Sequence, residues 1–449
     1  MNAELSSKIR ELMNDLKIPG VAIGVYKAGD VSTQGYGVTN VDHPLPVDDD
    51  TLFQIGSITK TFVGTMTMML VEEGKLDLDE PIRTYLPDFK VPDEEAASKA
   101  TLRHLFTHTA GWVGDWFPSG IDHGSDAVEH YVRTMVDNPQ DTPLGDLISY
   151  NNAGYNLAGR ILEVVTGKVF SELIKEMIFE PLDMKDTYIL PWEMMTKRFA
   201  SGHFPNDEGV EVANPWFIGR SSGPAGGIIS SVKDMLKYIK FQLGNGTLDG
   251  KKLITKDSLD ALHTPQVEFA PNHSIALTFW VDDSRSTRTM GHGGGTVGQI
   301  SLLTIVPEHD FGLMLVTNSA AGRRFNPPVT NFALKNYLGV ETPEHAIMDT
   351  PDDKLGEYAG EYEAKLSAVT VTVNEGGLDI SQRALGGFPT ADDEPASTEP
   401  SPPVSYGFYE KDHISGTGEA NRYTIAQFVR DDEGSVAWLR FGMRLHKRK

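Results

Sequence analysis

The sequence predicts an α/β (α+β) protein. An antiparallel sheet flanked by helices carries an inserted helical domain, and a small C-terminal antiparallel β-barrel follows. Three observations predict it. Strand-like runs lie at both ends of the first 340 residues, with helical patterns between them. The stretch ETPEHAIMDTPDD, residues 341–353, is polar, acidic and holds two prolines, so it reads as a linker. Short β-like runs at close spacing fill residues 354–449.

Taken in order, residues 1–16 form an amphipathic helix with Leu5, Ile9, Leu12, Met13 and Leu16 on one stripe, ended by Ile18-Pro19-Gly20. Val21–Tyr26 and Val31–Tyr36 flank a turn at Ala28-Gly29-Asp30, a hairpin at the start of the sheet. Helical patterns run from about Ser57 to about Lys240. ALTFWV, TRTMGH, GQISLLTIVP and FGLMLVTN, within residues 276–318, read as an antiparallel meander, and a helix follows near Pro327–Tyr337. The domains are therefore 1–340, a linker at 341–353, and 354–449. In the last of these, VTVTV, LDIS, YGFYE, YTIAQFV, VAWLRF and MRLH supply strands, and TADDEPASTEPSPPVS, residues 390–405, is a low-complexity loop.

Composition narrows the function. The 449 residues carry 40 Lys+Arg and 63 Asp+Glu, a net charge of −23, which repels nucleic-acid backbones and anionic bilayers. There is no cysteine, so disulfides, thiolate metal sites and thiol nucleophiles are excluded. No apolar run is long enough to span a membrane, and the N-terminal segment lacks an apolar signal core, so the expected location is the cytoplasm. No cofactor or metal is expected.

Three short segments carry chemistry. In Phe53-Gln-Ile-Gly-Ser57-Ile-Thr-Lys60, Ser57 opens a helical pattern, and Lys60 shares its face. A serine hydroxyl is a weak nucleophile until a neighbouring base or cation activates it, and free amides and a positive dipole end sit at a helix start. The plain alternative is a capping serine with a surface lysine. In Tyr150-Asn151-Asn152, Asn152 is placed to cap the next helix, and Tyr150 stands outside that helix. A phenol serves as a base only beside a cation, such as Lys60, and a core tyrosine is the alternative. In Gly291-His292-Gly293-Gly294-Gly295, glycines on a strand edge admit a ligand to the backbone, where an N–H is available as an oxyanion donor. His292 there suits an anionic group or adds positive charge near the tyrosine. A glycine-rich turn with an incidental histidine is the alternative.

Together, in this order, Ser-x-x-Lys, Tyr-x-Asn and His-Gly-Gly resemble the serine β-lactamase and penicillin-binding-protein superfamily. Tyr-x-Asn points to its class C-like branch, and His-Gly-Gly resembles that branch's esterases and D-aminopeptidases. Leu102–Gly111 and Pro224–Asp234 match the family's texture, and the resemblance spans about residues 5–340. The tail from Leu355 to Tyr362 and the VTVTV run resemble the lipocalin-like domain of some members.

The resemblance implies a β-lactamase-like fold and acyl-enzyme chemistry. Ser57 attacks a carbonyl, Lys60 and Tyr150 share the proton work, and Asn152 holds Lys60 and the acyl chain. The Ser57 and Gly295 amides form the oxyanion hole. His292 stands where relatives carry lysine. Since histidine is mostly neutral at pH 7, ester or amide hydrolysis gains over β-lactam cleavage. The expected substrate is a small molecule or short peptide, D-residues included. The rival readings are a true β-lactamase or D,D-peptidase, and a non-catalytic binding or assembly protein on the same fold. The C-terminal module is a candidate surface for homo-oligomers.

Trp112, Trp116 and Phe117 follow the His-Thr-Ala-Gly segment. They read either as an apolar substrate wall, with Trp112 as its binding residue, or as packing. Three patterns are expected to be decoys. Gly219-x-Ser221-x-Gly223 lies among prolines and glycines rather than between strand and helix. Gly293-x-Gly295-x-x-Gly298 is followed by strand, not helix. His104 and His108 lack the glutamate of a zinc-protease helix and read as structural, with His108 fixing a loop.

Overall fold

The computed structural model describes all residues except 120–123, 207–208, 249, 351, 387–398 and 420. By contacts the chain divides into two units. The first holds Met1–Thr107, Gly120–Asp137 and Ala153–Thr342; the second holds His108–Ser119, Asn138–Asn152 and Pro343–Lys449.

The first unit is organised by an eight-stranded antiparallel sheet. Its strands are β1 (Gly20–Lys27), β2 (Asp30–Gly37), β3 (Val267–Ala270), β4 (His273–Ile275), β5 (Trp280–Asp282), β6 (Thr289–Gly295), β7 (Ile300–Val306) and β8 (Phe311–Thr317). The order across the sheet is β3-β4-β5-β6-β7-β8-β1-β2. The N-terminal hairpin thus docks on the C-terminal meander, Val21 opposite Thr317, and the sheet is built from both ends as expected. The hairpin turns through Ala28 and Gly29, both at positive φ, which suits the right-handed twist of the two strands.

Strand alternation then sorts the layers. Val21, Ile23 and Val25 of β1, with Leu313 and Leu315 of β8, face a layer made by α1 (Ala3–Asp15) and the last helix of the unit, Gly322–Leu338. Leu5, Ile9 and Met13 of α1 and Phe325, Val329 and Ala333 of that helix fill the layer. On the opposite face Gly24 and Gly312 make room for Leu236 and Ile239 of the helix Val232–Leu243: a β-carbon on Gly312 would lie 2.1 Å from Ile239.

Two expectations shift. The run from Ala276 begins as a turn, with Thr278 at φ 79° and Ala276 N–H bonded to Phe279 O, so β5 starts only at Trp280. The final helix starts at Gly322, with Pro327 and Pro328 inside it.

The second unit contains a closed eight-stranded barrel, with each strand next to its sequence neighbour. Its strands are β9 (Gly360–Glu363), β10 (Ser367–Asn374), β11 (Gly377–Ala384), β12 (Val404–Glu410), β13 (His413–Gly416), β14 (Ile425–Arg430), β15 (Val436–Phe441) and β16 (Arg444–Arg448). Pairing of Tyr362 with Arg448 closes it and removes the free edges. The interior is packed by Tyr362, Val369, Leu378, Ile380, Phe408, Ile414, Phe428 and Leu439, and Tyr358 lies 4.7 Å from both the Phe408 and Phe428 rings. Arg430 holds the outside together through Glu357 and Asp412, which keep its guanidinium firmly charged.

Most of the low-complexity loop lies outside the described residues; its end is ordered, Ser401 N–H bonding Gln382 O, and Val404 opens β12. Part of the stretch read as a linker lies on the barrel, His345 stacking on Tyr409 at 4.1 Å. Among the described residues no helix is long and apolar enough to cross a membrane.

Candidate active site

Ser57 sits on a single 3-10 turn, Gly56–Ile58, between the short strand Phe53–Gln54 and the helix α2, Thr59–Glu72. The sequence places Ser57 at the helix start; the structure inserts this tighter turn. α2 is buried nearly all round, not along one stripe. Its threonines make that tolerable: Thr61, Thr65 and Thr67 each donate back to a carbonyl of the preceding turn. Phe62 stacks on Tyr238 at 3.8 Å, and the Tyr238 hydroxyl donates to Thr61. The helix bearing Lys60 is thus fixed on all sides.

Within Thr51–Lys60, Ser57 alone keeps part of its surface accessible. Lys60 is fully buried. Its Nζ donates to Ser57 Oγ at 3.0 Å and to Ala225 O at 2.6 Å, and lies 5.2 Å from the centre of the Tyr155 ring. The Ala225 carbonyl helps set that position. Ala225 belongs to the short helix Gly223–Gly226 and is held by Asn156, whose Oδ1 accepts the Ala225 N–H at 3.1 Å. A side chain so anchored holds its Nζ at the serine oxygen without the entropy cost of a free one.

Strand β6 closes the other side of the serine turn. A β-carbon on Gly294 would lie 1.9 Å from Ile55 O, and one on Gly56, which sits at φ 52°, 2.7 Å from Gly295 N. Only glycine permits this approach, and Ser301 Oγ secures it by donating to Ile55 O at 2.7 Å. The Gly295 backbone is thereby brought beside the Ser57 turn, the arrangement an oxyanion hole requires.

For His292 the sequence leaves open a cation or a mostly neutral ring, and its surroundings favour the neutral ring. It is buried on β6, its ring 5.0 Å from that of Trp280, with Nδ1 bonded to Gly293 O. Burial, reinforced by the charge of Lys60, pushes its pKa down to about 3. It is neutral at physiological pH, so it adds no positive charge and offers no cation to an anionic group. With Nδ1–H donating to the carbonyl, the ring presents Nε2 as an acceptor.

Tyr150, Asn152 and Trp112 fall in the second unit. Tyr150 is in a loop just before the helix Asn152–Thr166, whose first residue is Asn152. His108, at φ 59°, accepts the Asn151 N–H on Nδ1 at 3.0 Å and packs its ring 4.7 Å from that of Tyr150. Asn152 Nδ2 donates to Asp115 Oδ1 at 2.8 Å. For Trp112, read from sequence either as a substrate wall or as packing, burial favours packing. At 1% exposure it is packing, and its carbonyl accepts from Asn151 Nδ2. Trp116 and Phe117 remain half-buried.

The decoys resolve as expected. Ser221 is buried on a 3-10 turn with no strand before it. Gly298 lies between two strands, and His104 caps its own helix through Thr101.

A partly accessible serine three residues from a buried lysine, under a glycine-edged antiparallel strand, is an arrangement that suits the serine hydrolases of the β-lactamase and penicillin-binding-protein type. The chain belongs to the beta-lactamase family, whose sequence profile matches residues 5–333. It is 30% identical to Penicillin-binding protein 4 of Amycolatopsis lactamdurans over 351 residues, 76% of this chain and 92% of that one. The octameric penicillin-binding protein homologue from Pyrococcus abyssi superposes with a TM-score of 0.66 at 26% identity, covering 99% of both chains. The class C beta lactamase from Rhodobacter sphaeroides has the same fold at 23% identity and TM-score 0.61, covering 74% of this chain and 100% of that one.

Sequence reading did not find Ala225, Asp115 or His108's bond to Asn151. A backbone carbonyl leaves no trace in residue type, and Asp115 is one acidic residue among 63.

Proposed function

We propose that the protein hydrolyses small esters, or amides and short peptides including those with a D-residue, through an acyl-enzyme on Ser57. The observation that carries this reading is the buried Lys60 side chain, its Nζ held 3.0 Å from the partly accessible Ser57 hydroxyl. Ser57 Oγ attacks the carbonyl carbon, its proton passes to whichever of Lys60 and Tyr150 is unprotonated, and the oxyanion rests on the Ser57 and Gly295 amides. The Lys60–Tyr150 pair returns the proton to the leaving group. Water then repeats the sequence and frees the acid. Asn152 orients the acyl chain.

The neutral His292 supports ester and amide substrates over β-lactams, whose carboxylate gains nothing from an uncharged ring. A β-lactamase or D,D-peptidase activity remains the second reading, favoured by the likeness to Penicillin-binding protein 4. The domain limits 1–340 and 354–449, a lipocalin-like character of the barrel and assembly through it belong to the same proposal. An octameric relative supports the last.

Intact-protein mass after a fluorophosphonate and, separately, a penicillin tests the reading, beside p-nitrophenyl ester turnover. Wild type should gain one fluorophosphonate adduct and turn over ester, and Ser57→Ala should do neither. A stable penicillin adduct or rapid penicillin hydrolysis would favour the second reading. No adduct and no turnover would leave a binding or assembly protein.

A further inference from the structure

We propose that Arg444, in the last hairpin of the barrel, is a positioning residue for Tyr150 and Asn152, and that the barrel thereby forms part of the catalytic apparatus. The inference rests on the serine-hydrolase reading above, in which those two residues act.

The geometry lies wholly within the second unit. β15 and β16 are joined by a two-residue turn, Gly442-Met443, with φ of 55° and 66°. This primed turn is the tightest way to close a hairpin, and it makes the tip narrow and stiff. Met443 O accepts the Tyr150 N–H at 2.7 Å. Arg444 then reaches two targets. Its guanidinium lies 5.0 Å from the centre of the Tyr150 ring, and it grips Asp115 with two nitrogens, Nε to Oδ2 and Nη2 to Oδ1 at 3.1 Å. Asp115 is buried and passes the constraint to Asn152 Nδ2. Arg440 donates to Ile148 O and Leu445 N–H to Ser149 Oγ, so residues 148–150 and 152 are all fastened to one hairpin.

This pattern exceeds what simple docking needs. A forked Arg–carboxylate pair fixes orientation as well as distance. With Nδ2 committed to Asp115, the Asn152 amide has one orientation, and Oδ1 is left as the acceptor. The same arginine covers the tyrosine ring, so one side chain sets both residues of the Tyr-x-Asn motif. Asp115 and Tyr150 also hold the Arg444 charge firm against the partial burial that opposes it.

The test uses full-length protein and p-nitrophenyl ester kinetics with parallel melting curves. Arg444→Ala should lower kcat about 10–100-fold with little change in KM. Arg444→Lys, which keeps charge but not the fork, should recover only part. Adding Arg444→Ala to Asp115→Asn should cost little further, because both act through one pair. Millimolar guanidinium should restore turnover to Arg444→Ala, which a purely structural loss would not allow. Arg422→Ala, at an exposed ion pair with Glu344 elsewhere on the barrel, should behave as wild type. If Arg444→Ala melts far below wild type, Arg444→Lys carries the test, and full kcat there overturns the inference. Full kcat in a folded Arg444→Ala, with Tyr150→Phe inactive, overturns the inference and leaves the hydrolase reading standing. Full turnover in Ser57→Ala or Tyr150→Phe overturns that reading instead.

Discussion

At the scale of single residues, function rests on side chains whose surroundings decide their charge. His292 shows how surroundings settle what residue type leaves open. The His-Gly-Gly segment was legible as a glycine-rich strand edge, and Ser-x-x-Lys as a serine and a lysine on one helix face, because both depend on local spacing. The imidazole reads from sequence as mostly neutral at pH 7, but the depth of its shift was not legible, because it depends on burial and on Lys60, which is 232 positions away in sequence and adjacent in space. A pKa of about 3 predicts that the pH–rate profile shows no inflection attributable to His292 between pH 5 and 8, and that His292→Gln leaves the profile's shape unchanged. His292→Lys should bury a second ammonium near Lys60 and destabilise the fold by roughly 2–5 kcal/mol, read from denaturant midpoints. Gly294→Ala drives a methyl into Ile55 O, and the expected result is loss of turnover even where the protein folds.

At the scale of elements, period and turn chemistry were readable where one face is wet and one dry. The N-terminal helix, the 20–37 hairpin and most barrel strands follow their patterns. α2 is different: buried all round, it keeps threonines inside by bonding them to its own carbonyls, which a hydrophobic stripe does not reveal. The short strands β3 and β4 escaped for another reason. Three or four residues hold too little alternation to register. Trp112 read equally as wall or core from sequence, and only the fold of its loop decides for core. The Gly442-Met443 turn gives an element-level prediction. Gly442→Val must take φ near 55° and should cost about 1–2 kcal/mol by melting, while kcat falls further than stability because Tyr150 hangs on the next residue.

At the scale of the molecule, acid sensitivity follows from buried neutral histidines. His292 sits at about 3, and His263 and His446 at about 4, each pushed down chiefly by burial. In the unfolded chain all three titrate near 6.5, so below that pH the unfolded state binds more protons than the folded one. Stability is therefore complete above about pH 6.5 and falls as the pH drops toward 4, by roughly 1.4 kcal/mol per pH unit for each histidine. Urea unfolding at pH 7.5, 6 and 5 should show midpoints declining in that order, and a flat series would contradict the burial of these rings.

The hairpin that fastens residues 148–150 has a consequence for synthesis. Arg440 and the carbonyl it binds are 292 residues apart in the chain. A ribosome adding 5–20 residues per second exposes the Tyr150 segment about 15–60 s before that hairpin emerges. Through that interval the serine and its lysine are already present on the nascent chain, while the tyrosine loop lacks its fastening. The Tyr150 segment therefore gains this fastening late, only once the hairpin has followed it out of the ribosome.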